Sequence, residues 1–208
     1  LNTSADLTTV AAVLNALTFT NTSDNPTLND TDPSRVYTIK LNDGDNDARA
    51  GGPTSRDSNT LTGTITITPV NDAPGVDLNG GLAGISYSLT WDESSNAPHV
   101  ARVIASDPKL TDVDNTNLAE MRLAVSGLRD GNDERLLIGG TSFPLQTDAA
   151  SVDIGAFLVS YTASSGLFTI VPDGAAVATR SSFETLLLGI SYNNLTDNPT
   201  AGNRTVTV

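Results

Sequence analysis

Short runs in which apolar and polar residues alternate dominate the chain. The clearest run, from Leu61 to Thr68, places threonines on one face and mostly aliphatic residues on the other. Because successive side chains of a β-strand point to opposite faces, this alternation predicts a strand that is buried on one side. Similar runs predict strands over residues 35–41, 86–91, 101–106, 121–125, 157–161, 167–171 and 190–193. Clusters of Asn, Asp, Gly and Pro separate the runs, and the whole pattern predicts an all-β fold.

One segment departs from the strand pattern. Ser181 is followed three residues later by Glu184, which is the spacing of a helix capping box. This predicts a short helical turn that begins at Ser181 and runs through Leu188. The alternative is a strand that continues into the three leucines at 186–188.

An internal repeat is the most informative feature of the sequence. Residues 14–27 align with residues 187–200, so that Asn25 matches Asn198 across an offset of 173 positions. Both stretches contain Asp-Asn-Pro-Thr, and the segment that begins at Arg35 matches the one that begins at Arg204. Self-similarity of this kind indicates a tandem array of structural repeats.

The position of the repeat predicts an unusual domain organisation. Residues 1–70 correspond to the C-terminal part of one repeat, residues 71–75 to a linker, and residues 76–208 to the N-terminal and middle part of the next repeat. With no signal peptide and no initiator Met, the chain is expected to be an excerpt of a longer polypeptide. Alternatively, residues 1–70 supply the strands that the second part lacks, within one chain or exchanged between neighbours. This completion is favoured because half a sandwich leaves open sheet edges.

Composition narrows the classes of partner. The formal net charge is -13 and the isoelectric point about 4.1, so the surface repels nucleic acids and anionic membranes, and neither is expected as a partner. No apolar run is long enough for a membrane-spanning helix. The absence of cysteine excludes disulfides, thiolate catalysis and zinc–thiolate sites. Excess carboxylates suit a hard divalent cation, and Ca²⁺ is the expected one.

Candidate catalytic residues are few. His99 is the only histidine, it follows Pro98, and no nucleophile elbow accompanies it. The sequence therefore predicts that His99 is a surface residue and that the protein is not an enzyme.

Several motifs, in order, carry a resemblance to a known family. Residues 67–74 (Ile-Thr-Pro-Val-Asn-Asp-Ala-Pro) resemble the linker of cadherin-like and VCBS-like repeats in giant bacterial adhesins of the RTX type. Residues 110–118 resemble the Asp-x-Asp loop of those repeats, and residues 41–44 resemble their Asp-Gly turn before the last strand. The resemblance implies Ig/cadherin-like Greek-key β-sandwiches in tandem, in a secreted or cell-surface protein.

The resemblance also implies calcium at the joints between repeats, where the ion converts a flexible string into a stiff rod. The implied ligands are Asp24, Asn71, Asp72, Asp112 and Asp114 at one joint, Glu93 and Asp197 at the next, and Asp43 and Asp45 at the preceding one. The implied partners are neighbouring repeats of the same protein, with strand exchange into a homo-oligomer as a further expectation.

Acidic turns and aromatic residues leave alternatives open. The segment 130–134 is expected to be a plain hairpin turn that faces water, whereas segment 43–47 suits a turn and a calcium loop equally. The competing function is a carbohydrate-binding cadherin-like module, with polysaccharide as its partner. It requires an exposed Trp91, Tyr87 or Tyr161 to form a flat platform and fails if all three are buried; Trp91 is favoured as a core residue.

Overall fold

Antiparallel β-strands make up most of the regular structure, in agreement with the all-β prediction. The structure is a computed structural model that describes residues 6–42, 57–93 and 99–208. The chain divides into two units, Leu1–Asn71 (unit 1) and Asp72–Val208 (unit 2).

The described part of unit 1 contains one helix and one strand pair. Helix α1 spans Leu7–Asn15, and the Asp6 carboxylate caps it by accepting a hydrogen bond of 2.7 Å from Thr9 N. Strand β1 (Ser34–Ile39) pairs with β2 (Leu61–Thr66) in antiparallel register, with Tyr37 opposite Gly63. The Tyr37 ring lies so close to Gly63 that an added Cβ would be 2.3 Å from a ring atom. In the described part of unit 1 no apolar side chain is buried, so this unit has no closed core of its own there.

Residues 72–93 and 99–208 of unit 2 form two larger sheets, two small strand pairs and one α-helix. The five-stranded sheet has the order β10 (Ala149–Ile154), β11 (Phe157–Thr162), β12 (Leu167–Pro172), β7 (Met121–Ser126) and β15 (Thr205–Thr207). The four-stranded sheet has the order β4 (Arg102–Val103), β14 (Ser191–Asn194), β8 (Glu134–Ile138) and β9 (Thr141–Pro144). The small pairs join β3 (Gly75–Asp77) to β5 (Lys109–Thr111) and β13 (Ala178–Thr179) to β6 (Asn117–Leu118). Helix α2 spans Arg180–Leu188, and a short 3-10 turn, Gly131–Asp133, precedes β8.

One hydrophobic core joins the two larger sheets and α2. Strand β7 alternates strictly between buried and exposed residues, as a strand with one face on a core does. Phe168 of the five-stranded sheet packs edge-on against Phe143 of the four-stranded sheet, with ring centroids 5.6 Å apart. Phe183 of α2 closes the core against Phe157, at 4.8 Å.

Three local predictions need correction. The strand expected over residues 86–91 is absent: the segment is irregular, and it follows a series of bends in which the side-chain amide of Asn79 donates hydrogen bonds to the carbonyls of Ala83 and Ser86. The strand expected over residues 101–106 is reduced to β4. The helix through Leu188 is confirmed over the strand alternative, but its N-cap is Thr179 and not Ser181.

The two helices occupy equivalent positions in the repeat. Helices α1 and α2 each have nine residues, and α2 begins 173 positions after α1. Their N-caps, Asp6 and Thr179, are separated by the same offset, and each side chain accepts a hydrogen bond from the backbone N–H three residues on. The repeated segment is therefore longer than the sequence similarity that first reveals it.

Candidate functional site

Three of the residues expected to bind calcium, Asp72, Asp112 and Asp114, lie near one another where unit 2 begins. Strand β3 pairs with β5 so that Gly75 lies opposite Thr111. Antiparallel pairing therefore brings the loop after β5 beside the residues that precede β3. In this loop the Asp114 carboxylate accepts a hydrogen bond of 2.6 Å from the backbone N of Asp72.

Asp112 shapes the same loop. Its Oδ1 atom accepts hydrogen bonds from the backbone N atoms of Asp114 (2.9 Å) and Asn115 (2.7 Å). Its backbone carbonyl accepts a hydrogen bond of 3.1 Å from the Arg180 guanidinium, which ties the loop to α2. An ionised carboxylate has about four acceptor positions, so these bonds leave capacity for further ligands. We call Asp72, Asp112 and Asp114 the acidic loop site.

The other predicted calcium ligands lie in different surroundings. Asp24 and Asn71 belong to unit 1, and Asp24 is exposed. Glu93 is half-buried, whereas the side chain of Asp197 is 98% exposed and lies 3.5 Å from His99 Nε2.

Two further predicted ligands, Asp43 and Asp45, lie outside the described residues. Within residues 6–42, 57–93 and 99–208, no three acidic or histidine side chains form a ready-made metal cage. Calcium binding therefore stays a prediction.

A second acidic group contradicts the expectation of a plain hairpin turn at 130–134. Glu134 is fully buried, and the Asp130 side chain is only 8% exposed. Both carboxylates form ion pairs with Arg204, Glu134 through Nε and Asp130 through Nη2 at 2.8 Å. Tyr192 and Asn194 complete this group, which we call the Glu134 cluster. It comprises Asp130, Glu134, Tyr192, Asn194 and Arg204.

Hydrogen bonds occupy the carboxylates of the Glu134 cluster. Glu134 Oε2 accepts from the backbone N atoms of Arg129 (2.6 Å) and Asp130 (2.9 Å), and Oε1 accepts from the Tyr192 hydroxyl (2.9 Å). Asp130 accepts from Asn194 Nδ2 at 2.7 Å. With their acceptor positions used in this way, the two acids hold strands and loops together.

The electrostatics of the Glu134 cluster favour its ionised form. Burial alone raises the pKa of Glu134, but hydrogen bonds from Asp130 N, Arg204 and Arg129 N outweigh it, and the pKa lies below its ordinary value. The pKa of Asp130 is lowered for the same reason, since hydrogen bonds from Thr200 and Asn194 outweigh burial. Burial and the bond to Glu134 raise the pKa of the Tyr192 hydroxyl, which stays protonated as a donor.

An arginine contacts the Asp-Asn-Pro-Thr loop in both copies of the repeat. In unit 2, Arg204 donates a hydrogen bond of 2.6 Å to the carbonyl of Thr200. In unit 1, the matching Arg35 donates one of 2.6 Å to the carbonyl of Pro26. In both units an arginine thus joins the loop to the strand that follows it, through the carbonyl of the loop's Thr in unit 2 and of its Pro in unit 1.

The histidine and two of the aromatic residues are half-buried. The side chain of His99 is 25% exposed and its Nδ1 atom is buried, so His99 lies only partly at the surface. Trp91 is half-buried and packs edge-on against Tyr192 at 6.4 Å. Tyr161 lies in the core, where it stacks on Phe168 and donates a hydrogen bond to the Leu145 carbonyl. Burial removes Tyr161 from any exposed platform, whereas Trp91 and Tyr87 are half-buried, so carbohydrate binding stays a prediction.

Comparisons with known proteins give no relative. No protein-family model matches the chain, no curated protein matches it, and no solved structure matches it. Among the described residues, neither helix is long and apolar enough to cross a membrane.

Proposed function

We propose that the chain is a structural segment of an extracellular bacterial adhesin or surface filament, built from cadherin-like repeats that calcium stiffens at their joints. Under this proposal the two sheets of unit 2 belong to an Ig/cadherin-like Greek-key sandwich. The protein acts mechanically, at the cell surface, and carries out no reaction of its own.

The observation that carries the proposal is the hydrogen bond between the Asp114 carboxylate and Asp72 N. Asp72 is the first residue of unit 2 and directly follows the last residue of unit 1. An ion bound at the acidic loop site would hold the point at which the chain enters unit 2. Ca²⁺ takes about six to eight oxygen ligands, so it would recruit further carboxylates or water beyond these three residues.

Electrostatic repulsion between acidic loops explains why such a joint would be stabilised by calcium. The chain has 24 acidic and 11 basic residues, so acidic loops repel one another when no cation is bound. A bound divalent ion cancels this repulsion locally and crosslinks the loops through their oxygens. The segment would therefore be stiffer and more stable with calcium than without it.

Thermal unfolding of the full chain in calcium and in chelator tests the proposal. A ligand that binds only the folded state at about 100 times its Kd stabilises that state by about 2.7 kcal/mol. We therefore expect a higher melting temperature in calcium, and no such shift in magnesium at equal ionic strength.

A matched pair of variants locates the effect. Asp114→Asn keeps an acceptor oxygen for Asp72 N but removes the charge, so it should abolish most of the calcium-dependent shift. Asp153→Asn is the control, because Asp153 is exposed and its carboxylate also accepts a hydrogen bond from a backbone N–H, that of Gly155 at 2.8 Å. If chelation leaves the melting temperature unchanged, or if both variants lose the shift equally, the calcium joint is wrong.

A further inference from the structure

None of the described strands pairs with one edge of β15, which we call its open edge. Strand β15 lies at the end of the five-stranded sheet and pairs with β7 so that Val206 lies opposite Val125. No described strand of unit 2 pairs with its other edge. The repeat shows what belongs there, because β15 matches β1, which has a partner.

Backbone directions identify the open edge of β15 residue by residue. Along a strand, the N–H and C=O groups of successive residues point to opposite edges. Val125 N donates to Gly166 O, on the β12 side of β7, so Ala124 and Ser126 point towards β15. Their partners Thr207 and Thr205 therefore point towards β7. The backbone groups of residues 204, 206 and 208 point to the open edge.

The same reasoning applies to β1. Ile67 N donates a hydrogen bond of 2.9 Å to Pro33 O, so these two residues point towards each other across the strand pair. Alternation then directs the backbone groups of residues 35, 37 and 39 towards β2. The repeat matches these three residues with 204, 206 and 208. The edge of β1 that β2 occupies is thus the edge that is open on β15.

The core-facing and solvent-facing sides of β15 and β2 would also match if the two strands paired. On β15, Val206 and Val208 pack against the core, whereas Thr205 and Thr207 are exposed. On β2, Gly63 and Ile65 are half-buried and the threonines between them are exposed. A β2 strand placed beside β15 in the register of unit 1 would set Gly63 opposite Val206 and Leu61 opposite Val208. Aliphatic residues would then extend the core face, and threonines would face water.

We propose that the open edge of β15 binds the β2 strand of a second copy of this chain, antiparallel and with Gly63 opposite Val206. The second copy gives up its own β1–β2 pairing for an equivalent one, so the number of backbone hydrogen bonds is conserved. Little packing opposes the exchange, since Leu61 is 61% exposed where it lies. Beside β15 its side chain would lie against Val208.

This inference deepens the proposed role as a repeat segment and rests on the repeat, but it does not depend on calcium. All measurements below are therefore made in chelator. If the chain binds no calcium, the expected results of these measurements do not change. If the measurements show no strand docking, the proposal of a calcium-bound joint is unaffected.

A peptide of residues 57–70 tests the edge without altering the protein. A fluorescently labelled peptide should bind the full chain, as measured by anisotropy. N-methylation at Gly63 removes the N–H that points to β15 and should weaken binding at least about tenfold. N-methylation at Thr64, whose N–H points away from β15, should change the affinity less than about twofold. Failure of the peptide to bind, or equal losses from both methylations, would overturn the docking site.

Variants of β15 provide the reciprocal test. Val206→Pro removes an N–H that faces the open edge and keeps the bonds to β7, a position at which edge strands tolerate proline. It should abolish peptide binding, whereas Val206→Ala, which also shortens the side chain but keeps the N–H, should retain it. Equal binding by both variants would contradict the assigned edge.

Self-association of the full chain tests the second copy as the source of the strand. Sedimentation velocity should show a fraction of oligomers that rises with protein concentration. The unlabelled peptide should dissociate these oligomers. A chain that stays monomeric while it binds the peptide would refute the second copy as the donor.

Discussion

Replacing Glu134 by glutamine tests whether the Glu134 cluster holds unit 2 together. Glutamine has nearly the same shape, but it presents one acceptor oxygen and one NH₂ group where the carboxylate presents two acceptors. Whichever way the amide turns, an NH₂ group faces donors: the backbone N–H groups of Arg129 and Asp130 on one side, or Tyr192 and Arg204 on the other.

The expected loss follows from these contacts. A hydrogen bond to a charged group contributes about 1.5–3 kcal/mol, and breaking a buried ion pair costs about 3–5 kcal/mol. Asp130 remains paired with Arg204 in the variant, which moderates the loss. We expect Glu134→Gln to lower the free energy of unfolding of unit 2 by about 3–4 kcal/mol at pH 7.

The pH dependence supplies a second signature. The pKa of Glu134 in the folded chain lies below its ordinary value of 4.5. The carboxylate therefore contributes its full stabilisation above pH 4.5, and the contribution is lost as the pH falls through the folded-state pKa. The difference between the parent chain and Glu134→Gln should accordingly be constant near neutral pH and shrink in acid.

Urea unfolding followed by the fluorescence of Trp91 measures this effect in unit 2. Trp91 is the only tryptophan, and its ring lies 6.4 Å from that of Tyr192. Glu120→Gln is the matched control, because Glu120 forms an exposed ion pair with Arg122 that should contribute less than about 1 kcal/mol. A loss below about 1 kcal/mol for Glu134→Gln, or a loss that does not vary with pH, would refute the reasoning.

Two further predictions concern packing and backbone geometry in unit 2. Phe183→Ala should lower the free energy of unfolding in urea by about 3–5 kcal/mol, because the ring is fully buried. Val10→Ala, at the equivalent position of α1, should lower it by less than about 1 kcal/mol. Equal losses for the two variants would contradict the difference in burial. Gly166→Ala should cost about 3 kcal/mol or more, since Gly166 has a φ of +65° and an added Cβ would lie 2.2 Å from Val125 O. Gly155→Ala is its control, with a similar φ of +69° but open space around the added Cβ, and should cost only about 1 kcal/mol.

The alternation of apolar and polar residues predicted those strands in which burial also alternates along the chain. Strands β2, β7, β11 and β12 lie where the period of two places them, and one face of each is more buried than the other. The pattern fails at residues 86–91, where the Asn79 amide donates to the carbonyl of Ser86, the first residue of the expected strand. A side chain from outside the segment thus competes with strand pairing for its backbone.

Strand β8 shows why the Glu134 cluster could not be read from the sequence. Its first residue, Glu134, ends an acidic stretch that is typical of an exposed turn. The acid is buried because Arg204, 70 residues later, supplies a compensating charge. Local composition contains no information on such a distant partner. The one available signal was Arg204 itself, which the repeat marks as equivalent to Arg35.

The acidic loop site was predictable in part. The order of motifs places Asp72 near Asp112 and Asp114, and the pairing of β3 with β5 brings these residues together. The sequence did not reveal that the carboxylates bind backbone N–H groups, because this depends on the conformation of the loop.

Arg35 and Arg204 show what the N-terminal part of a repeat contributes. Both guanidinium groups bind a carbonyl of the Asp-Asn-Pro-Thr loop, which is the contact that the repeated segment makes by itself. Arg204 also pairs with Glu134, a residue of β8 outside the repeated segment, whereas Arg35 pairs with Asp32 in its own loop. The side chain of Arg204 is 12% exposed and that of Arg35 is 32% exposed. The equivalent arginine is thus a partly exposed loop contact in unit 1 and a member of a buried ion pair in unit 2, where β7 and β8 are present. A partner that completed unit 1 in the manner of unit 2 would therefore need to bring a buried acid to Arg35 as well as an apolar face to α1.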